Sequence, residues 1–205
     1  MTRRWQGRLS DPDSTKEGRF RCVAEAVAQI VLAHGTKGVT ISSVARRAGV
    51  SRPWIYKYLG RDPKVLLRFA GRLYAEAFSD LARSRHADDV STWRARVADG
   101  VRDGLHDALA APWCVPLYFR HRHADDALGE AIRTVERRHR EAFLADLPPP
   151  LVREDASRFA EVFTATRMGA YHLWLDPGFR ARTSVDAMLD ELLRPLDAWI
   201  GAADR

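Results

Sequence analysis

Thr40-Ile-Ser-Ser-Val-Ala-Arg-Arg-Ala-Gly49-Val-Ser51-Arg-Pro-Trp-Ile-Tyr56-Lys-Tyr58 reads as two short helices that meet at a glycine, each opened by a hydroxyl residue. Thr40 can cap the first helix, whose apolar positions Ile41, Val44, Ala45 and Ala48 follow helical spacing, and Gly49 supplies the left-handed residue that ends it. Ser51 can then accept from free amides of the second helix. Pro53 falls in that helix's first turn, where a missing amide hydrogen costs little. Val50 and Ile55 should point inward, leaving bulky hydrogen-bonding side chains on the outer face. This is the layout of a helix-turn-helix, in which the first helix braces a second that lies in the major groove of DNA. The expectation is DNA binding.

Working outward, Ser14-Thr-Lys-Glu17 reads as a capping box, followed by a stripe of Phe20, Val23, Ala24, Val27, Ile30 and Val31 that ends near His34-Gly35. Gly60-Arg61-Asp62-Pro63 breaks the pattern on the other side, with Asp62 as cap and Pro63 at the first position of a fourth helix running to about Arg83. Trp93, Val97, Val101 and Leu105 mark a fifth helix, closed by Ala111-Pro112. Trp113 to His123 forms a short sixth, with Pro116 in its first turn. Leu128, Ile132, Val135, His139 and Phe143 mark a seventh. After the stiff Pro148-Pro149-Pro150 connector, an eighth helix runs from about Leu151 to Leu175, where Asp176-Pro177-Gly178 ends it. A ninth carries Val185, Met188, Leu189, Leu192, Leu193, Leu196, Trp199 and Ile200. No segment alternates as a strand would. The fold class is therefore all-α with about nine helices. A DNA-binding domain is expected over 1–62 and a larger helical bundle, for ligand binding and dimerisation, over 63–205.

Charge divides the same way. Residues 1–62 hold 12 Lys or Arg against 5 Asp or Glu, whereas residues 63–205 hold 21 against 22. The whole excess of a chain with net charge +6 is thus N-terminal, as phosphate neutralisation by one domain requires. Arg3, Arg4 and Arg8 form a basic arm, expected to be flexible over 1–14 without DNA and able to reach an adjacent groove. The N-terminus lacks the apolar run of a signal peptide, and no stretch approaches a membrane span, so a cytoplasmic location is expected. Cys22 and Cys114 lack metal-ligand spacing and read as small buried residues. His121 and His123 lie two apart, where helical side chains diverge, so no metal site is expected. Neither a glycine-rich phosphate loop nor a nucleophile elbow occurs, and no catalytic residue or cofactor is expected.

Over roughly residues 16–67 the chain resembles the tetracycline-repressor family of bacterial regulators. The resemblance rests on Thr40, Val44-Ala45, Ala48-Gly49-Val50-Ser51, Ile55-Tyr56, Tyr58 and Leu66. It implies an all-helical homodimer that binds a double-stranded, palindromic DNA operator, more often as repressor than activator, with a small-molecule effector cavity in its C-terminal part. Carried onto this chain, it places Thr40 and Ser42 near phosphates, Arg52, Pro53 and Trp54 towards bases, and Tyr56, Lys57 and Tyr58 mostly on the backbone. Arg52 is the expected direct reader, because a guanidinium can bond two acceptors of guanine at once. Two departures stand out: Leu59 where the family usually has Phe, and Asp62 where it commonly has a phosphate-binding Lys. Arg61 or Lys64 would have to take over that contact.

In the C-terminal part, Trp93, Trp113, Tyr118, Phe163, Tyr171, His172 and Trp174, with Arg167 one turn before Tyr171, are side chains that either line a cavity for an aromatic or amphipathic effector or pack as core. Arg167 is the expected charged anchor. The wide apolar face of the ninth helix is satisfied either inside one subunit or by a second copy. A dimer through helices eight and nine is the preferred expectation, since two recognition helices related by a dyad read half-sites ~34 to 36 Å apart. The competing reading is a helical-bundle interaction module without sequence-specific DNA binding.

Overall fold

The computed structural model describes residues 15–78 and 89–202, the side chains of 73–78 excepted. Among the described residues there are ten α-helices and no strand: α1 (Lys16–His34), α2 (Ile41–Ala48), α3 (Arg52–Tyr58), α4 (Pro63–Phe78), α5 (Val90–Ala110), α6 (Cys114–His121), α7 (Ala127–Ala145), α8 (Ala156–Trp174), α9 (Pro177–Arg180) and α10 (Val185–Gly201). The all-α expectation holds. The basic arm, Ser14 and the end expected for the fourth helix lie outside the described residues.

Three boundaries differ from the sequence reading, each for a local reason. α1 starts at Lys16, where the Thr15 hydroxyl accepts from the Gly18 amide at 3.1 Å. α8 begins at Ala156, about five residues later than expected, because Pro149–Leu151 closes a 3-10 turn first. Asp176-Pro177-Gly178 both ends α8 and starts the additional one-turn α9. There the Asp176 carboxylate accepts from the Gly178 amide at 2.8 Å, and Pro177 takes the first position, where no amide is required.

Two compact units make up the chain. One comprises Met1–Ala77 with Pro116–Val135, the other Phe78–Val115 with Glu136–Arg205. In the first, α1 packs on α2, and Val23, Val27, Val31, Val44, Ile55 and Leu66 are fully buried, each worth ~1.5–3 kcal/mol of transfer from water. In the second, α5, α8 and α10 pack on one another. The apolar face of α10 is consumed there: Met188, Leu189, Leu192, Leu193, Leu196 and Trp199 are all buried within the unit. Trp199 is held from three sides. Its indole donates to the Asp155 carboxylate at 2.9 Å, the Arg153 guanidinium lies 4.7 Å over the ring, and Phe159 stacks on it at 4.3 Å. Asp155 is thereby drawn to Trp199 and makes no side-chain cap on α8.

Candidate nucleic-acid interface and interior cavity

Local hydrogen bonds build the helix-turn-helix almost entirely. The Thr40 hydroxyl accepts from the Ser43 amide and the Ser43 hydroxyl from the Thr40 amide, both at 3.0 Å, a reciprocal box that satisfies two donors at the start of α2. Gly49 adopts φ 65°, and its amide and that of Val50 both reach the Ala45 carbonyl, turning the chain within two residues. Ser51 then caps α3 through the Trp54 amide at 3.3 Å, with Pro53 in the first turn. Ile55 is the one residue of α3 that is fully buried, and it anchors the helix.

That single anchor leaves the rest of α3 outward. Arg52, Pro53, Tyr56, Lys57 and Tyr58 are exposed, as are Thr40 and Ser42 at the start of α2. Trp54 differs. It is half-buried, 5.1 Å from Phe20 and 5.0 Å from Tyr58 between ring centroids, and Phe20 in turn meets Phe69 at 5.4 Å. An aromatic cluster from α1, α3 and α4 therefore sets the angle of α3. The sequence reading took Phe20 only as part of the first helix's stripe, and nothing in its spacing announces three aromatic partners. A second brace was also missed: Arg47 donates to the Gln29 side chain at 2.7 Å, and Gln29 to Glu25 at 2.9 Å, tying α2 to α1. Burial pushes the Glu25 carboxyl up from its ordinary range against the opposing effects of Gln29 and Arg47.

Cations frame the exposed face. Lys16 Nζ lies 4.9 Å and Lys57 Nζ 5.2 Å from the Tyr58 ring, while the Arg61 guanidinium lies 5.3 Å from that of Tyr56. Asp62, the departure from the family pattern, acts locally and caps α4 by accepting from the Lys64 amide at 2.8 Å. Lys64 and Arg61 remain exposed beside it.

The aromatic residues of the C-terminal part are distributed unevenly. Trp93, Phe163 and Arg167 line one small cavity of about 30 Å³ together with Val97, His139, Phe143, Asp146 and Thr164. Tyr171 is fully buried, its phenol pushed up to about 12 by burial, with the hydroxyl 3.5 Å from the Val101 carbonyl. Trp113 and Trp174 are buried away from the cavity wall, Tyr118 is buried in the other unit, and His172 is exposed. Arg167 is 7% exposed, its Nε has no hydrogen-bond partner, and its guanidinium lies 5.7 Å from the Phe163 ring. His139 beside it is pushed down to about 4 by burial and by the Arg167 charge, so the ring is neutral at pH 7. The sequence signal for His139 was its place in the apolar stripe of the seventh helix. Asp146, also on the wall, is engaged by Arg96 at 3.2 Å.

Similarity to known proteins agrees with this geometry. No family model matches the chain. It is 27% identical over 157 residues to the HTH-type transcriptional regulator BetI of Rhizobium meliloti (strain 1021), a match covering 75% of this chain and 76% of that protein. Its fold matches a TetR-family transcriptional regulator from Streptomyces coelicolor with a TM-score of 0.63 at 15% identity, over 92% of this chain and 83% of the other. A TetR-like transcriptional regulator from Rhodococcus sp. RHA1 matches with a TM-score of 0.58 at 16% identity, over 93% and 99%. The chain is thus similar in sequence to an HTH-type transcriptional regulator and in fold to TetR-family regulators. Among the described residues, no helix is long and apolar enough to cross a membrane.

Proposed function

We propose that this chain is a TetR-family regulator: a cytoplasmic, ligand-responsive repressor that binds a palindromic operator as a homodimer and leaves it when a small aromatic or amphipathic effector binds. Residues 1–62 would carry the DNA contacts and 63–205 the effector site and the dimer contact. The carrying observation is the outward display of Arg52, Pro53, Tyr56, Lys57 and Tyr58 on a helix held by buried Ile55 and half-buried Trp54. A seven-residue helix with one buried side chain adds little to the core, and its exposed guanidinium, ammonium and phenols are the groups that bond base edges and phosphates. The relative BetI, itself an HTH-type transcriptional regulator, supports the same reading. Arg52 reads a guanine, Lys57 and the two tyrosines grip phosphates with Thr40 and Ser42, and Arg61 or Lys64 replaces the missing lysine at Asp62. Trp54 serves by holding α3 against Phe20.

Dimerisation through α8 and α10 needs a surface other than the one foreseen, because the apolar face of α10 is already buried in its own unit. Between their exposed charged residues, both helices leave outside Val162, Ala165 and Leu173 on α8, and Ala187, Pro195, Ala198 and Ala202 on or beside α10. These small and apolar side chains let a second copy approach closely.

In vitro selection from randomised duplexes, followed by titration at several salt concentrations, tests the DNA reading. Arg52→Ala should relax preference at one base position by ~1–3 kcal/mol, whereas Lys57→Ala should weaken all duplexes alike and lower the salt slope by about 1. Failure to enrich any duplex sequence overturns the proposal and favours a protein-interaction module.

A further inference from the structure

The cavity between α5, α7 and α8 holds a charge that the protein does not balance. Arg167 is buried, its Nε is without a partner, and among the described residues no carboxylate pairs with it. The acid on the cavity wall, Asp146, has both oxygens turned to Arg96, at 3.2 and 3.3 Å. His139 also points an unpartnered Nε2 into buried space, and Thr164 adds a hydroxyl to the wall. The remaining wall is apolar, with Trp93, Val97, Phe143 and Phe163. A buried cation without a counter-charge costs free energy that an incoming anion recovers.

Resting on the ligand-responsive reading above, we propose that the effector is a monocarboxylate with a compact apolar body, its carboxylate taken by Arg167 with help from His139 or Thr164 and its body laid among Trp93, Phe143 and Phe163. A cationic ligand would meet Arg167 head-on. A neutral one would leave the guanidinium as it is. The cavity's 30 Å³ is about one water's share, room for the carboxylate alone. The body gains its place by displacing Phe143, which is half-buried, edge-on to Trp93 at 5.4 Å and 6.3 Å from both Phe159 and Phe163. Binding therefore opens the aromatic cluster, and the site exists fully only when occupied.

Three probes of nearly equal size and different charge decide the matter: phenylacetate, 2-phenylethanol and 2-phenylethylamine, each titrated calorimetrically and by thermal shift into the full-length protein at matched ionic strength. Phenylacetate should bind roughly ten- to hundredfold more tightly than either analogue. Arg167→Gln should abolish that preference in a protein whose circular dichroism is unchanged, and Arg167→Lys should retain part of it. Should Arg167→Gln not fold, the ranking of the three probes on the unaltered protein and the Arg167→Lys titration still decide. Equal binding of all three, no binding of phenylacetate, or undiminished phenylacetate binding in either variant overturns the proposal. DNA titration of the ligand-free protein separates the two readings: sequence-specific DNA binding without carboxylate preference removes only this inference, and carboxylate preference without DNA binding removes only the regulator.

Discussion

The α2–α3 segment and the α5–α8 interior use similar side chains to opposite ends. In the first, arginine, lysine and tyrosines stand outside a scaffold held by local hydrogen bonds, the short apolar stripe of α2, Ile55 and the stack of Trp54 on Phe20; in the second, arginine, histidine, tyrosine and tryptophans are sunk into packed helices. An exposed polar aromatic contributes little to stability and is free to recognise something. A buried one stabilises the fold whatever else it does, so its chemistry is visible only where a partner is missing, as at Arg167. The contrast separates a surface whose function can be altered without unfolding the protein from an interior where the two are entangled.

The strongest way to break that contrast is Trp93→Ala. The side chain is 1% exposed and packs edge-on to Phe143 at 5.4 Å, so its loss should lower stability by ~3–5 kcal/mol in urea unfolding while the folded fraction keeps its DNA preference. A loss below ~1 kcal/mol would show that the interior tolerates voids and behaves like the outer face.

Acid offers the next largest effect. His139 has its folded pKa at about 4, below the ordinary 6.5, so the unfolded chain binds the extra proton first. Its contribution is present in full above about pH 6.5 and is lost as pH falls towards 4, by roughly 2–3 kcal/mol. The stability difference between the unaltered protein and His139→Gln, measured by denaturant unfolding, should shrink across that window; a constant difference would place the ring in water.

Gly104→Ala sharpens the comparison further. A Cβ there would stand 2.2 Å from the Tyr171 hydroxyl, so Tyr171 must move at a cost of ~1–3 kcal/mol, read as a lower thermal midpoint. The smallest effect is expected on the outer segment: Thr40→Ala removes the reciprocal cap of α2 and should cost about 1 kcal/mol. A much larger loss there would mean that α2 is held by its cap more than by Ile41, Val44 and Ala48.

Legibility follows the same division. The α2–α3 turn was readable because each signal acts within four residues: Thr40 on Ser43, Gly49 after Ala45, Ser51 on Trp54. The start of α8 and the existence of α9 were misread because proline and aspartate punctuate without saying whether a helix stops or begins again. Trp54 was expected towards bases, and its stack on Phe20 depends on a residue more than thirty positions away. Of the residues expected around an effector, Trp93, Phe163 and Arg167 share a wall, while Trp113, Tyr118, Tyr171 and Trp174 are interior side chains elsewhere.

From the order of its residues alone came the all-helical class, the place of the turn at Gly49 and, Trp54 excepted, the outward set on α3, since hydrogen-bond caps and helical periodicity act over a single turn. Packing decided that the apolar face of α10 is spent inside its own unit, that Asp146 belongs to Arg96, and that Arg167 is left without a counter-charge. Those outcomes depend on which distant side chains compete for the same volume and the same charge, and only the folded chain settles that competition.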